Sequence, residues 1–337
     1  MAATDELETL TGVGPTTAEK LRAAGFGSYR QLAIASPTEI ATAAELGELV
    51  AGDIIDEARE RAELGGFETG VDLLERRSKI EKLQWLVPAV DVLLGGGVES
   101  QSITEVYGAY GTGKSQITHQ LVVNAQLPRE HGGLGGSAVF IDSENTFRPG
   151  RIDDMVRGLD GSAKTAMMDR HGVETETDLV EAVLDTIYVA EAFNANHQML
   201  LAEKITDLAT RSAETRWPIR LVCVDSLTGL FRAEYPGRGN LAERQQKLNK
   251  HLHDLVRVAT LHNAVVVVTN QVQSNPDAFF GDPTRPIGGN VLGHASTFRL
   301  YLRRSKKDKR IIKLVDAPNL PDGEAVFRIT GDGVKPE

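Results

Sequence analysis

The sequence predicts an α/β core with a mostly parallel central sheet, preceded by a small all-α domain. Two observations support the core: apolar segments with strand character alternate with helical segments from about residue 73 onward, and a Gly-rich loop at 108–115 joins one such strand to a helix. Parallel strands linked by helices carry ligands at their carboxyl ends. A third observation, the helical pattern of residues 1–62, supports the all-α domain.

The composition limits the class of protein. The chain has 337 residues and a formal net charge of −10, which excludes a uniformly basic nucleic-acid-coating protein but not a local basic groove. The acidic excess fits a high-salt cytoplasm, where acidic surfaces support solubility. The single cysteine, Cys223, lies in an apolar run, so we expect a buried thiol and no disulfide. With no signal peptide and no membrane-spanning stretch, we expect a soluble, cytoplasmic protein with no membrane partner.

Residues 1–62 predict a helical domain with a candidate DNA contact. Gly12 and Gly14 form a hairpin before a helix that begins at Pro15. This helix-hairpin-helix pattern exposes backbone N–H groups, which suit a DNA phosphate contacted without reading the base sequence. A tight connection between packed helices, with no ligand, explains the hairpin equally well.

Residues 63–75 are predicted to be a linker, because GGFETG at 65–70 interrupts the helical pattern. Local folding explains an exposed Phe67 poorly in such a segment. Its ring could fold back on its own domain or dock as an anchor in a neighbouring subunit.

Residues 76–337 form the predicted core, and apolar periodicity gives its elements. The predicted strands are 102–107, 137–142, 185–189, 220–225 and 264–269, followed by a β-hairpin of 298–302 and 311–315. The predicted helices are a short one within 85–97, then 116–124, most of 150–217, and 241–262.

The segment EVYGAYGTGKS at 105–115 fits the phosphate-loop pattern G-x-x-x-x-G-K-[ST]. Glycines at this spacing let backbone N–H groups face phosphate oxygens, Lys114 reaches the β/γ-phosphates, and the Ser115 hydroxyl can ligate Mg²⁺. The helix that follows points its positive N-terminal end at the phosphates. The predicted nucleotide-binding residues are Gly108, Ala109, Tyr110, Gly111, Thr112, Gly113, Lys114, Ser115 and Gln116.

Polar side chains at three other strand ends complete a candidate NTPase centre. Asp225 ends an apolar strand and has the form of a Walker B acid that supports Mg²⁺ directly or through water. Glu144 follows the strand that ends at Asp142 and could deprotonate the attacking water, although an ordinary solvated loop acid is equally compatible. Gln271 could hydrogen-bond the γ-phosphate and signal its presence to the next loop.

Two loops beside this centre are candidate DNA contacts. The first covers 234–240 and the second 272–290, and together they carry arginine, aromatic and glycine residues that suit single-stranded DNA. Ordinary surface connections are the alternative. The candidate DNA-binding residues are Arg238, Gln273, Arg285, Gly288 and Gly289.

These features together resemble the archaeal RadA recombinases, within the RecA/DMC-type strand-exchange family. The resemblance rests on GAYGTGKSQ, DSENTFRP, LVCVDS, GRGNLAERQQKLN, TNQV and LVDAPNLPDGEA in that order, covers nearly the whole chain, and fits a halophilic member. It implies a RecA-like P-loop ATPase core that uses ATP and Mg²⁺. It further implies filaments on single-stranded DNA and strand exchange with double-stranded DNA, in repair and homologous recombination at the nucleoid.

The resemblance also implies roles for individual residues. Glu144 matches the catalytic glutamate, which acts with Lys114 and Gln271, and Ser115 and Asp225 match the metal ligands. Outside this centre, Arg151 matches an arginine stacked on adenine. Asp316 to Pro321 matches a cap that a neighbouring subunit places over ATP, with K⁺ near Asp316. Phe67 with Gly70 matches a polymerisation motif.

Three positions depart from the family pattern: Ala109 replaces a common acid, Gly150 a glutamate, and Gly70 a small alanine. None removes a phosphate or metal ligand. Two alternative functions stay open. A regulatory RecA-like ATPase that binds DNA without exchanging strands could lack the hairpin, Phe67 or the long second loop. A DNA-binding scaffold with a vestigial nucleotide site would not need an intact catalytic set.

Overall fold

The computed structural model describes residues 6–237, 239–274 and 284–337, apart from the side chains of Ser274 and Asn290. It divides into two units, Met1–Lys79 and Ile80–Glu337. The smaller unit is helical and the larger unit contains the central sheet, as the sequence predicts. Among the described residues, no helix combines the length and the apolar character needed to traverse a bilayer.

The N-terminal unit consists of short helices after a 3-10 turn at Leu7–Thr9. They are α1 (Pro15–Ala23), α2 (Tyr29–Ala33), α3 (Pro37–Ala44), α4 (Glu48–Arg61) and α5 (Gly70–Ser78). Proline occupies the first position of α1 and α3, where its missing N–H costs no helical hydrogen bond. The core side chains of this unit include Leu7, Leu21, Leu32, Ile40, Ile54 and Ile55.

Helix α5 corrects the predicted linker, because residues 63–75 are irregular only before Gly70. Thr69 accepts a hydrogen bond from the backbone N–H of Asp72 at 3.2 Å, and the Asp72 carboxylate accepts one from the N–H of Thr69 at 3.0 Å. This capping box begins a helix despite the glycine. Helix α5 buries none of its own residues.

The larger unit alternates strands and helices. Its strands are β1 (Lys82–Leu83), β2 (Val98–Glu99), β3 (Ser102–Gly108), β4 (Ser137–Asp142), β5 (Ile187–Glu191), β6 (Ile219–Asp225), β7 (Val265–Ser274), β8 (Thr284–Pro286), β9 (Phe298–Arg304), β10 (Lys309–Asp316), β11 (Gly323–Thr330) and β12 (Gly333–Pro336). Its helices are α6 (Pro88–Leu93), α7 (Lys114–Asn124), α8 (Pro149–Arg157), α9 (Gly161–His171), α10 (Glu176–Asp185), α11 (Ala195–Ser212), α12 (Gly229–Glu234), α13 (Leu241–His262) and α14 (Gly289–Ala295).

The main sheet has the strand order β12-β11-β10-β9-β3-β7-β6-β4-β5, with β8 paired to β7, and β1 and β2 form a separate pair. The segment from β9 to β5 is parallel, and β9 to β12 are antiparallel. One hydrophobic core contains side chains of α7 to α10, and a second contains those of α11 and α13. Cys223 is buried, as predicted. Every predicted strand and helix has a counterpart within a few residues.

The predicted second loop, 272–290, is wrong at both ends. Strand β7 runs on through 274 and pairs with β8, so that Gln273 lies opposite Arg285. Helix α14 begins at Gly289. Residues 275–283, the middle of the predicted loop, lie outside the described residues.

The first loop is shorter in the structure than the predicted range of 234–240. Glu234 is the last residue of α12, so the connection to α13 begins at Tyr235. Arg238, the candidate DNA-binding residue of this loop, lies outside the described residues.

Candidate nucleotide site and DNA-facing segments

Four neighbouring parallel strands end at one edge of the sheet. Gly108 of β3 lies opposite Gln271 of β7, and Asp142 of β4 lies opposite Asp225 of β6. Strands β3, β4 and β6 are largely buried, as expected for a parallel sheet covered by helices on both faces. Their register brings together residues that are distant in the sequence.

Residues 108–115 form the loop between β3 and α7. Gly111 and Gly113 have φ values of +71° and +106°, which favour glycine. A β-carbon at Gly108 would collide with the carbonyl of Leu302 on β9. The loop therefore requires its glycines, and the free N–H groups at the start of α7 are suited to a phosphate. Of the other predicted loop residues, Ala109 and Tyr110 are exposed, Thr112 is buried and Gln116 is half-buried.

The side chain of Lys114 folds back over this loop. Its Nζ donates to the carbonyl oxygens of Gly108 at 3.0 Å and Ala109 at 3.1 Å. Burial lowers the pKa of Lys114, and the negative charges of Asp225 and Glu144 oppose that shift. The ammonium group therefore interacts with both the loop and the two acids, which is where a cation can contact the phosphates of a bound nucleotide.

Asp225 is buried at the end of β6. Its carboxylate accepts hydrogen bonds from the hydroxyls of Thr269 and Thr146, the latter at 3.2 Å, and lies near the hydroxyl of Ser115. Burial raises the pKa of Asp225, and the hydroxyls of Ser115 and Thr269 oppose the shift. Hydroxyl and carboxylate oxygens suit Mg²⁺, which keeps water and phosphate as its other ligands. Ser115 and Asp225 therefore fit a nucleotide-bound Mg²⁺.

Glu144 is fixed by two side chains from other strands. Its Oε1 accepts hydrogen bonds from the Ser226 hydroxyl at 2.7 Å and from Gln271 Nε2 at 2.8 Å. Glu144 and Gln271, which were predicted from separate segments, therefore touch. Ser226, the residue after Asp225, was not predicted, because a serine after a strand carries no distinctive pattern.

The backbone of the Glu144 loop is held at both ends. Asp142 accepts hydrogen bonds from the N–H groups of Glu144 at 3.1 Å and Thr146 at 2.8 Å. His119 of α7 donates from Nδ1 to the Ser115 carbonyl at 2.5 Å, and its Nε2 accepts from the N–H of Arg148 at 3.2 Å. We assign this tautomer because only Nδ1–H can donate to a carbonyl oxygen. His119 therefore ties the phosphate loop to the acid-bearing loop.

Arg151 lies at the periphery of this centre. Its Nε donates to Gln116 at 2.6 Å, and its terminal nitrogens donate to the carbonyls of Thr330, at 2.7 Å, and Gly331. The guanidinium is therefore held between α7 and the β11–β12 turn. The remaining predicted nucleotide contacts, Asp316 and Pro321, are exposed at the end of β10 and in the connection that follows.

The second candidate DNA-binding loop has a stem formed by β7 paired with β8. Gln273 and Arg285 are exposed on it. Gly288 and Gly289 follow with φ values of +101° and +61°. Beside the stem, Tyr107, Thr284, Tyr301, Val315 and Glu324, with the cations Arg303 and Lys313, line a cavity of about 280 Å³. This combination of stacked tyrosines and cations was not predicted, since its members come from three strands, β3, β9 and β10.

A buried polar network joins this stem to the phosphate-loop strand. Asn270 donates from Nδ2 to Glu105 at 2.7 Å and to the Ile287 carbonyl at 2.6 Å. Arg299 donates to the other oxygen of Glu105 at 2.8 Å. Burial raises the pKa of Glu105, and Arg299 opposes the shift. The chain after β8 is therefore fixed, through Asn270 and Glu105, to the strand that leads into the phosphate loop.

The predicted contacts of the N-terminal unit are exposed. Gly12 has a φ of +82° and Gly14 precedes α1. The N–H of Thr11 donates to the carboxylate of Glu57 on α4 at 2.7 Å, which fixes the hairpin entry. Phe67 is fully exposed.

The two units match different family models. Residues 76–337, which include the whole nucleotide centre, match the Rad51 model. The chain belongs to the Rad51 family. Residues 4–60 match a SAM-like helix-hairpin-helix tandem. The Rad51-family core therefore follows a second, separately recognised motif in the same chain.

Named relatives of this Rad51-family chain are archaeal. It is 64% identical over 339 residues to the DNA repair and recombination protein RadA of Halobacterium salinarum, covering 98% of this chain and 99% of the relative. Proteins of the same name from Haloferax volcanii and Methanoculleus marisnigri are 62% and 54% identical over 342 and 331 residues, covering 99% and 98% of this chain and 100% and 98% of each relative. The resemblance to archaeal RadA recombinases of the halophilic type is confirmed.

Proposed function

We propose that this protein acts in DNA repair and homologous recombination as an ATP-dependent recombinase that polymerises on single-stranded DNA and exchanges strands with a homologous duplex. One observation carries the proposal. Strand β7 holds Gln271 against Glu144 at 2.8 Å and continues directly into the stem that bears Gln273 and Arg285. A γ-phosphate that engages Gln271 would therefore act on the segment that faces DNA.

The residues of the nucleotide centre have distinct roles in ATP hydrolysis. Mg²⁺ would neutralise the phosphate charge and orient the γ-phosphoryl group. Ser115 and Asp225 would hold it through their oxygens, and Lys114 would contact the β/γ-phosphates. Glu144 orients the attacking water and accepts its proton. Gln271 donates to Glu144 at 2.8 Å, and would donate to the γ-phosphate when ATP is bound.

DNA contacts are proposed at four places. Gln273 and Arg285 lie on the exposed stem, and the glycines at 288 and 289 let the backbone approach phosphates. The cavity adds the Lys313 ammonium beside stacked tyrosine rings, which suits nucleic acid, whereas Arg303 is paired with Glu324 at 2.7 Å. Arg238 and the N-terminal hairpin, with Gly12 and Gly14, would bind phosphates without reading sequence.

Assembly is proposed to use Phe67 and the nucleotide centre. A fully exposed phenylalanine beside Gly70 suits an anchor in another copy of the chain. The sheet edge formed by β5 exposes Tyr188 and Val189, an apolar edge that suits such an anchor. Asp316 and Pro321 are accessible to the nucleotide of a neighbouring subunit, and Asp316 is accessible to K⁺.

ATP hydrolysis is expected to rise strongly when single-stranded DNA is added, because the DNA-facing stem and the γ-phosphate contact share one strand. The measurement is the turnover rate with and without single-stranded DNA at several KCl concentrations, since DNA affinity depends steeply on salt. Hydrolysis that ignores DNA at every salt would favour a regulatory ATPase that does not exchange strands.

Phe67→Glu is expected to abolish long filaments. Burying a charge in an apolar docking site costs several kcal/mol, roughly enough to weaken each contact between subunits more than 100-fold. Light scattering and electron microscopy with ATP and single-stranded DNA measure filament length. Val92→Glu is the matched control, since Val92 is an exposed valine on α6. Wild-type filaments from Phe67→Glu would show that the anchor lies elsewhere.

A further inference from the structure

We propose that Arg304 and Arg310 are positioning residues that hold the phosphate loop in its nucleotide-binding shape and set its affinity for ATP. The inference rests on the proposed function, since it assigns two residues to the same nucleotide centre. Arg304 ends β9 and Arg310 lies near the start of β10. Neither belongs to the phosphate-loop motif.

The two arginines donate hydrogen bonds to the carbonyls of two consecutive loop residues. Arg304 Nε donates to the Gly111 carbonyl at 2.8 Å, and Arg310 Nε donates to the Thr112 carbonyl at 2.9 Å. A β-carbon at Gly111 would collide with the Arg304 guanidinium. The left-handed backbone of this position favours glycine, and a larger residue would also displace the Arg304 guanidinium.

The strand register explains how both side chains reach the loop. Arg304 and Arg310 are directly opposite each other in the antiparallel β9–β10 pair. Side chains alternate between the two faces of a strand, so Arg304 lies on the face of Leu302 and Arg310 on the face of Ile312, both of which are buried in the core. The core-facing side of the β9–β10 hairpin therefore ends with two guanidinium groups that contact the phosphate loop.

Like charges directly opposite each other on paired strands are destabilising. Within the described part of the chain, neither guanidinium forms a salt bridge with a carboxylate, and both donate to backbone carbonyls. Burial lowers the pKa of Arg310 and the charge of Arg304 lowers it further, while the charge of Asp308 opposes both. Two neighbouring guanidinium groups that form no salt bridge are suited to an anion, and the triphosphate is the anion that the adjacent loop is proposed to bind.

The contacts also shape the loop itself. Each peptide unit is planar, so its carbonyl and the next N–H point in opposite directions. A donor that fixes the Thr112 carbonyl on one side of the loop therefore directs the Gly113 N–H to the other side. In this way the arginines orient N–H groups toward the phosphate cradle without contacting the reacting atoms.

The test compares Arg304→Gln, Arg310→Gln and the double variant with wild type in the full-length protein without DNA. Each single variant is expected to raise the KM for ATP and the Kd for a fluorescent ATP analogue by about 10-fold, and the double variant by more, because a charge-assisted hydrogen bond is lost. The kcat at saturating ATP should stay within about twofold of wild type, since the arginines do not touch the reacting groups.

Two variants and one stability measurement distinguish a positioning role of the arginines from a general effect of positive charge and from unfolding. Lys306→Gln removes a positive charge from the exposed β9–β10 turn and should leave the KM and Kd unchanged. Arg310→Lys keeps the charge and should recover part of the affinity. Thermal unfolding without nucleotide should show no loss of stability in the double variant, because the repulsion between the arginines is also removed.

Each result decides between distinct conclusions. Wild-type affinity in the double variant overturns the proposal, and so does a loss of kcat at unchanged KM, which would place the arginines in the chemical step. If the wild-type chain itself binds no ATP, the proposed function fails first, whatever the variants do.

Discussion

Glu144→Gln is expected to reduce the kcat of ATP hydrolysis by roughly 10²–10⁴-fold, the usual contribution of a general base. The glutamine oxygen can still accept the hydrogen bonds that Glu144 receives from Ser226 at 2.7 Å and Gln271 at 2.8 Å. The loop therefore keeps its position, and only the ability to take a proton from water is lost. Single-turnover hydrolysis and ATP binding, measured separately, should show a slow chemical step at nearly unchanged affinity.

Ser226→Ala supplies the graded comparison. It removes one of the two hydrogen bonds to Glu144 and keeps the carboxylate, so the loss in kcat should be much smaller than for Glu144→Gln. Equal melting temperatures would establish that both variants fold. If Glu144→Gln hydrolysed ATP within about threefold of wild type, Glu144 would be an ordinary loop acid and the general base would lie elsewhere.

The parts of the site that the sequence predicted are encoded locally. The phosphate loop, the acid at the end of β6 and the amide at the end of β7 each follow from a strand and the few residues after it. A parallel sheet then brings these strand ends to one edge. That is why Gly108, Asp225 and Gln271 could be placed together from sequence alone.

The contacts that the sequence did not predict depend on strand order. Strand β9 is far from β3 in the chain but is its parallel neighbour in the sheet, and this neighbourhood puts Arg304 on Gly111. The contact between Arg299 and Glu105 also depends on β9 lying beside β3. The sequence alone gives no partner for a charged Glu105 inside a buried strand. His119 lies on α7 among apolar residues and gave no sign of its two backbone partners.

The β7–β8 stem was missed for a different reason. Strand β8 is three residues long and includes Pro286, which has no N–H and usually marks a loop. Proline is tolerated here because β8 pairs only with β7 among the described strands. Strand β11 was not predicted, although Ala325 and Phe327 alternate with more exposed residues.

Lys114→Ala is expected to lower kcat/KM for ATP by at least roughly 10³-fold, because it removes a preorganised cation from the phosphate site and leaves the loop carbonyls of Gly108 and Ala109 without their donor. Burial keeps water from replacing the ammonium group fully. Steady-state hydrolysis and binding of a fluorescent ATP analogue measure the two parts of the loss. Binding should weaken as well as turnover, which distinguishes this variant from Glu144→Gln.

The control for Lys114→Ala is Lys306→Ala, which removes an exposed lysine of the β9–β10 turn and should leave hydrolysis unchanged. Lys114→Arg tests geometry rather than charge: its planar guanidinium cannot occupy the position from which Nζ donates to two adjacent carbonyls. We therefore expect Lys114→Arg to recover little activity. Unchanged turnover in Lys114→Ala would show that the nucleotide centre does not lie at residues 108–115. The roles assigned to Glu144, Asp225 and Arg310 would then be wrong as well.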